Sequence, residues 1–313
     1  MNTMNAHPNT VPQSPLAPQG ITRPAISATQ TLYWSVRREV WENRSLYIVP
    51  LAVAVVTVFG FLIATIGRAL AVPDLAQRRA VLEEPYNFAA LLIMGTTFVV
   101  AVFYCLDALH GERRDRSILF WKSLPVSDFN VVLSKACIPL VVLPLLTFAI
   151  ILATQWIMLL LSSAVMLASG LSPATLWTRL SVLDVSLLLY HLLAVHGLYF
   201  APVYAWLLLV SAWARRAAFV WAALPLVAIG VVERIAFHSS HFAAMLGSRL
   251  AGGDKVVPFP MPGSTSMSMP MDHQLTLLAL ARFLVSPGLW AGLLIAGAFL
   301  ALAMRLRRYQ GPI

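Results

Sequence analysis

Charge is scarce in this sequence: Asp, Glu, Lys and Arg make up 11% of its 313 residues, against 59% hydrophobic ones. A soluble domain is about a quarter charged. The deficit, with a mean hydropathy of +0.78, argues against a water-soluble fold. Cysteine is almost missing too. Cys105 and Cys137 each fall at the expected cytoplasmic end of an apolar run, where thiols stay reduced, and neither CxxC nor Cys/His spacing accompanies them. A disulfide framework and a local metal pair are thereby disfavoured. No GxxxxGK[ST] phosphate loop occurs, the cluster from Gly247 to Gly253 running into Asp254 rather than Lys-Ser, so ATP hydrolysis is not expected from this chain. HExxH and GxSxG are absent as well, and the histidines, serines and acids show no nucleophile–base spacing. The reading is therefore not an enzyme. Of the 22 basic residues only Lys122, Lys135 and Lys255 are lysines.

What the sequence does contain is apolar blocks of about 20 residues, the length of helix that crosses roughly 30 Å of hydrocarbon. Six spans are expected, near 47–66, 88–106, 137–161, 185–210, 219–232 and 289–304. The fold class is thus all-α, a polytopic membrane protein. The net charge of +9 does not form one basic patch of the kind that binds nucleic acid; it is scattered between the blocks, where Lys and Arg set orientation. With both termini in the cytoplasm, 14 basic residues lie inside and 8 outside. The excess inside, concentrated in shorter segments, supports an even number of spans with cytoplasmic ends.

Residues 1–30, rich in Pro, Asn, Thr and Gln, are read as a disordered cytoplasmic tail and as no signal peptide. Residues 31–46 are expected to form an interfacial helix with Leu32, Val36, Val40, Tyr33 and Trp41 near one side. Residues 47–304 are the membrane domain and 305–313 a second cytoplasmic tail. Outer loops are expected at 67–87, 162–184 and 233–288, the last too long for a plain connector and carrying short helices at His241–Leu250 and Asp272–Leu284. No internal repeat of fixed period is visible.

The inner segment between the second and third spans, Asp107 to Lys135, is the most informative: DALHGERRDRSILFWKSLPVSDFNVVLSK. A charged run leads to an apolar patch (Ile118, Leu119, Phe120, Trp121, Leu124). Pro125 then interrupts the helix, and Ser127 can cap the next one. A short helix with one apolar side, held at the membrane by flanking charges, suits either docking to a soluble partner or lying on the inner leaflet. The stretch resembles the coupling region of the type-2 ATP-binding-cassette transporter permeases, on Glu112, Arg113, Leu119, Leu124, Pro125, Val126, Ser127 and Lys135. Where that family has Gly and Thr, this chain has Arg116 and Ser117. Topology and the amino-terminal interfacial helix resemble the family over roughly residues 31–308.

The resemblance implies a permease subunit, exporter-type, in a bacterial cytoplasmic (inner) membrane. It implies a second permease subunit as homodimer or heterodimer, and two copies of a cytoplasmic ATPase carrying ATP and Mg; no cofactor is expected on this chain. Glu112, Arg113, Ile118, Leu119, Phe120, Trp121, Leu124, Pro125 and Ser127 are the expected ATPase-coupling residues.

Other polar groups are candidates of a different kind. Gln155, His191, His196 and Tyr199 lie in apolar sequence and either line a substrate path or bond between helices. Gly288 and Gly292 form a GxxxG that permits a close helix contact, in a dimer among other uses. Met267, Met269, Met271 and His273 have the soft donor chemistry of Cu(I), but a plain Met/Ser-rich loop is the preferred account of them; no metal is assigned. The competing function is a self-sufficient ion-coupled transporter or channel using Asp107, Asp184 or the fourth-span histidines.

Overall fold

The computed structural model describes residues 27–69, 75–123, 127–168, 189, 192–250 and 282–309. Among these there is no strand; the chain is all-helical. Five helical segments are long and apolar enough to cross a bilayer: Ser45–Ala64, Phe88–Arg114, Asp128–Ala168, Ala218–Phe237 and Pro287–Tyr309. This is the architecture of a multi-pass membrane protein. Of the fourth expected span only residue 189 and those from 192 onward are described, and its regular α-helical part, Ala201–Trp213, is shorter.

The chain opens with α1 (Ala28–Glu42), capped by the Ser27 hydroxyl, which accepts from the Gln30 amide. The helix therefore begins inside the stretch read as a disordered tail; residues 1–26 lie outside those described. Leu32, Val36 and Val40 are half-buried as expected, but Tyr33 and Trp41 are exposed. They sit on a different face, where the Arg37 guanidinium lies about 5 Å from the Trp34 and Trp41 rings. After a break at Asn43 and Arg44 come α2 (Ser45–Ala69) and α3 (Leu75–Ala108).

At 34 residues, α3 is about 51 Å long, far more than hydrocarbon thickness. The outer segment 67–87, expected as a loop, is helical from Leu75 onward. Apart from Val81, LAQRRAVLEE is composed of strong helix formers, so its charge does not mark a loop.

Beyond α3 lie α4 (His110–Arg114), α5 (Ser117–Ser123) and α6 (Asp128–Cys137); α6 continues through a π-helical turn, Ile138–Val142, into α7 (Leu143–Ala168). A second π segment, Leu192–Tyr199, leads into α8 (Ala201–Trp213). Proline explains both. Pro144 and Pro202 have no N–H to give the carbonyl four residues back, and in the first π turn the bonding shifts by one residue, so that the Leu143 amide donates to the Ile138 carbonyl. The two segments pack together. Gly197 makes that possible: a Cβ there would lie 2.6 Å from the Leu140 carbonyl oxygen.

The core centres on α8, of whose thirteen residues ten are buried. It packs against α3 and most extensively against α11 (Pro287–Tyr309), whose contacting positions include Ala296 and Ala303, small enough for close approach. Between them in the chain, α9 (Ala218–Phe237) is the opposite case, with only Ala218 and Ala222 buried. Val227, Val232 and Ile235 face outward there, as do Val55, Val56, Phe59 and Ile63 on α2. Such apolar exteriors are what lipid-facing helices require. The short helix α10 (His241–Leu250) stands where the sequence places it, its first amides held by the Glu233 carboxylate. Most of its expected companion at 272–284 lies outside the described residues.

Gly197→Ala is expected to destabilise the protein by about 1–3 kcal/mol through overpacking at the π contact, whereas Gly95→Ala, which meets nothing within 4 Å, is expected to be neutral. Thermal unfolding of the two variants in detergent compares them directly.

Candidate functional site

The end of the bundle that carries α1, α4 and α5 holds a buried cluster of charges. Lys135 on α6 places its Nζ 2.8 Å from Glu39 Oε1 and 3.0 Å from Glu112 Oε1. Glu112 on α4 also pairs with Arg307 on α11, and Arg307 Nε reaches Asp128 Oδ1 at 3.2 Å. The Tyr104 hydroxyl donates to Glu39 Oε2 at 3.0 Å. Glu39, Lys135 and Arg307 are 3%, 3% and 4% exposed. Three acids and two cations thus join α1, α4, α6 and α11, with Tyr104 adding the end of α3. Burying any of these charges alone costs several kcal/mol, so the five side chains hold their helices in one arrangement.

Local sequence explains how the parts arrive there. Ser127 caps α6 as expected, accepting from the Asn130 amide at 3.2 Å, and Asp128 follows in the first turn, where a carboxylate suits the helix dipole. The α3–α4 junction is seated on α8: Ser211 Oγ accepts from the Leu109 and His110 amides at 3.0 and 2.8 Å. Arg113 Nη1 donates to the carbonyls of Ala212 and Ala214 at 2.7 and 3.3 Å, satisfying oxygens that the end of α8 leaves without helical partners. Between α4 and α5 the chain turns at Arg116, with φ of 59°. This left-handed conformation favours glycine.

On α5, Ile118 points inward and is buried, while Leu119 and Phe120 are 56% and 59% exposed. Trp121 is half-buried beneath Arg38 of α1, whose guanidinium carbon lies 3.4 Å from the ring centroid; Arg38 in turn pairs with Glu42. Between α1, the end of α3, α4, α5 and α6 opens a polar cavity of about 310 Å³, lined among others by Glu39, Asp107, Glu112, Phe120, Trp121 and Lys135. Leu124 and Pro125 lie outside the described residues.

The other sequence candidates are dispersed. His196 borders a space of about 10 Å³, room for roughly one water, together with Thr97, Thr147 and Tyr204; Thr147 Oγ1 donates to Thr97 Oγ1 at 3.1 Å. Tyr199, three residues on, faces elsewhere, against Phe283 and under the Arg249 guanidinium. Gln155 is half-buried on α7, and His191 and Asp184 lie outside the described residues. So do Met267, Met269, Met271 and His273; among the described residues no group of three or more His, Cys, Asp or Glu could hold a metal. Asp107 is exposed beside Arg114. A Cβ at Gly292 would strike Arg249, whose Nη2 donates to the Gly288 carbonyl at 2.8 Å, whereas nothing stands within 4 Å of Gly288. The face of the GxxxG at Gly292 is thus occupied from within the chain.

Sequence reasoning singled out Glu112, Arg113 and Lys135 but missed Glu39, Tyr104, Asp128, Ser211 and Arg307 as members of the site. One signal was available: Glu39 is an acid on the stripe of Leu32, Val36 and Val40, a position that faces the protein. Arg307 carries no such mark, being one of several basic residues at the end of a span.

Compared with protein-family models, curated proteins and solved structures, the chain gives no match. Fold and site therefore define the class as far as a multi-pass helical membrane protein with a buried ionic cluster at one end.

Lys135→Met leaves Glu39 without its ionic partner and Glu112 with only one. It is expected to destabilise the protein by about 3–5 kcal/mol, and Lys135→Met with Glu39→Gln to recover part of that loss. Unfolding temperatures of the detergent-purified variants provide the check.

Proposed function

We propose that this chain is the permease subunit of an ATP-binding-cassette transporter, exporting a cargo with energy from ATP hydrolysed, with Mg, on a separate cytoplasmic ATPase. The end with α1, α4, α5 and the ionic cluster is then cytoplasmic, as are both termini. The membrane is the bacterial inner membrane, and a second permease subunit, identical or related, completes a transporter with two ATPases.

One observation carries the reading: α5 turns Ile118 inward and leaves Leu119 and Phe120 outward, immediately beside a buried ionic cluster that ties α1, α4, α6 and α11 together. A soluble partner gripping Leu119 and Phe120 pulls on α5, and through α4 on Glu112. Because Glu112 cannot leave both Lys135 and Arg307 without its own carboxylate losing its ionic partners, displacement of α4 carries the third and last spans with it. Arg38 over Trp121 adds α1 to the moving unit. The resemblance of residues 107–135 to a coupling region supports the same reading.

The ion-coupled alternative draws on the small, mainly apolar space to which Thr97, Thr147, His196 and Tyr204 contribute polar groups. That space admits water but no larger cargo, and among the described residues no carboxylate borders it.

Affinity purification of the chain from its native membrane is expected to recover an ATPase bearing a phosphate loop, identified by mass spectrometry and by ATP hydrolysis. Phe120→Glu is expected to lower that recovery at least tenfold with an unchanged unfolding temperature. Uphill transport by vesicles holding this chain alone on a proton or sodium gradient defeats the proposal and establishes the alternative.

A further inference from the structure

Among the described helices long enough to cross a bilayer, α9 has the least protein around it, and it is flanked near its Phe237 end by α10. The two are joined by a connection of three residues, His238–Ser240, and clamped by Glu233, which accepts from the Ser239 hydroxyl and from the amides of His241 and Phe242. Between them lies a groove of about 500 Å³ whose walls are almost wholly apolar, Leu226, Val227 and Val231 on one side and Phe242, Leu246 and Leu250 on the other. Gly230 and Gly247 both border it, and neither has anything within 4 Å of where a Cβ would stand. Missing side chains on both walls therefore keep the groove open.

From this groove we infer that the chain binds an anionic phospholipid between α9 and α10, one acyl chain lying in the groove and the phosphate on Arg234. Length and polarity both select this occupant. Along α9 the groove runs from Leu226 to Ile235, about 14 Å at 1.5 Å per residue, or half of a hydrocarbon core of roughly 30 Å. That is the depth of a single leaflet. A transmembrane helix from a second copy would cover the whole length of α9. The groove is also polar at one end only. Arg234 lines it three residues before α9 ends at Phe237, at the level of headgroups, and apolar side chains line the rest. Among the described residues Arg234 makes no ion pair or hydrogen bond, because its neighbour Glu233 is engaged by α10. An exposed guanidinium above an apolar slot is complementary to a phosphate above a hydrocarbon tail.

The inference stands apart from the transport proposal, since it concerns a face that a lipid occupies whether or not an ATPase drives the chain.

The experiment is native mass spectrometry of the intact chain, delipidated in detergent and re-supplied with either phosphatidylglycerol or diacylglycerol, which shares the tails but lacks the phosphate. Wild-type protein is expected to retain phosphatidylglycerol at least fivefold more than diacylglycerol. Arg234→Gln is expected to abolish that preference, and Gly247→Leu, which fills the groove in a helix that tolerates leucine, to remove retention of both. Elution volume and unfolding temperature serve as controls for folding. Equal retention by wild type and both variants overturns the inference. So does oxidative cross-linking of Gly247→Cys between two copies in the membrane, measured against wild type with its own Cys105 and Cys137, since it places protein in the groove.

Discussion

The arrangement of the helices at one end of this protein depends on Glu112 having a cation on either side. Lys135 and Arg307 come from helices far apart in the chain, and each has a second acid to satisfy, Glu39 for the lysine and Asp128 for the arginine. Where the side chains are this little exposed, withdrawing Lys135 leaves Glu39 without an ionic partner, and pulling Glu112 away from both cations strands its own carboxylate; the penalty for either exceeds what a pair gained by forming. The constraint is therefore geometric more than stabilising. It forces α1, α4, α6 and α11 to share one position, where apolar contacts alone would tolerate sliding.

Away from that end the same helices are held differently. Packing around α8 is close, through small residues and aromatic rings such as Phe200 and Tyr204, but the hydrogen bonding of the third and fourth spans is interrupted by two facing π segments. Such segments are rare and occur often at functional sites. The protein thus combines a rigid ionic end with an interior in which the helices are locally reshaped. A coupling element needs the first property, and it is the one on which the proposed function draws.

Periphery and interior also follow different rules. On α9 and α2 the apolar residues face outward and find lipid. On α8 they face other helices, while Ser211 and the terminal carbonyls receive α4 through directed hydrogen bonds. Since lipid is as apolar as a leucine, polar contacts of this kind carry much of the specificity in helix association.

The sequence by itself determined that the chain is helical and crosses a membrane several times, because 20-residue apolar runs have no other stable disposition. It also determined local features written within one turn of helix: the Ser127 cap and the separate helix at His241–Leu250. It marked Glu112, Arg113 and Lys135 only through a resemblance, and it misassigned the faces of Tyr33 and Trp41 and the start of α3 as loop. Tertiary structure alone decided that Glu39, Asp128 and Arg307 meet Glu112 and Lys135, that Gly292 shelters Arg249, and that His196 and Tyr199 face different neighbours. The physical reason is range. Capping and periodicity act between residues three or four apart, whereas Glu112 and Arg307 are separated by 195 positions and are brought together only by how the intervening helices pack.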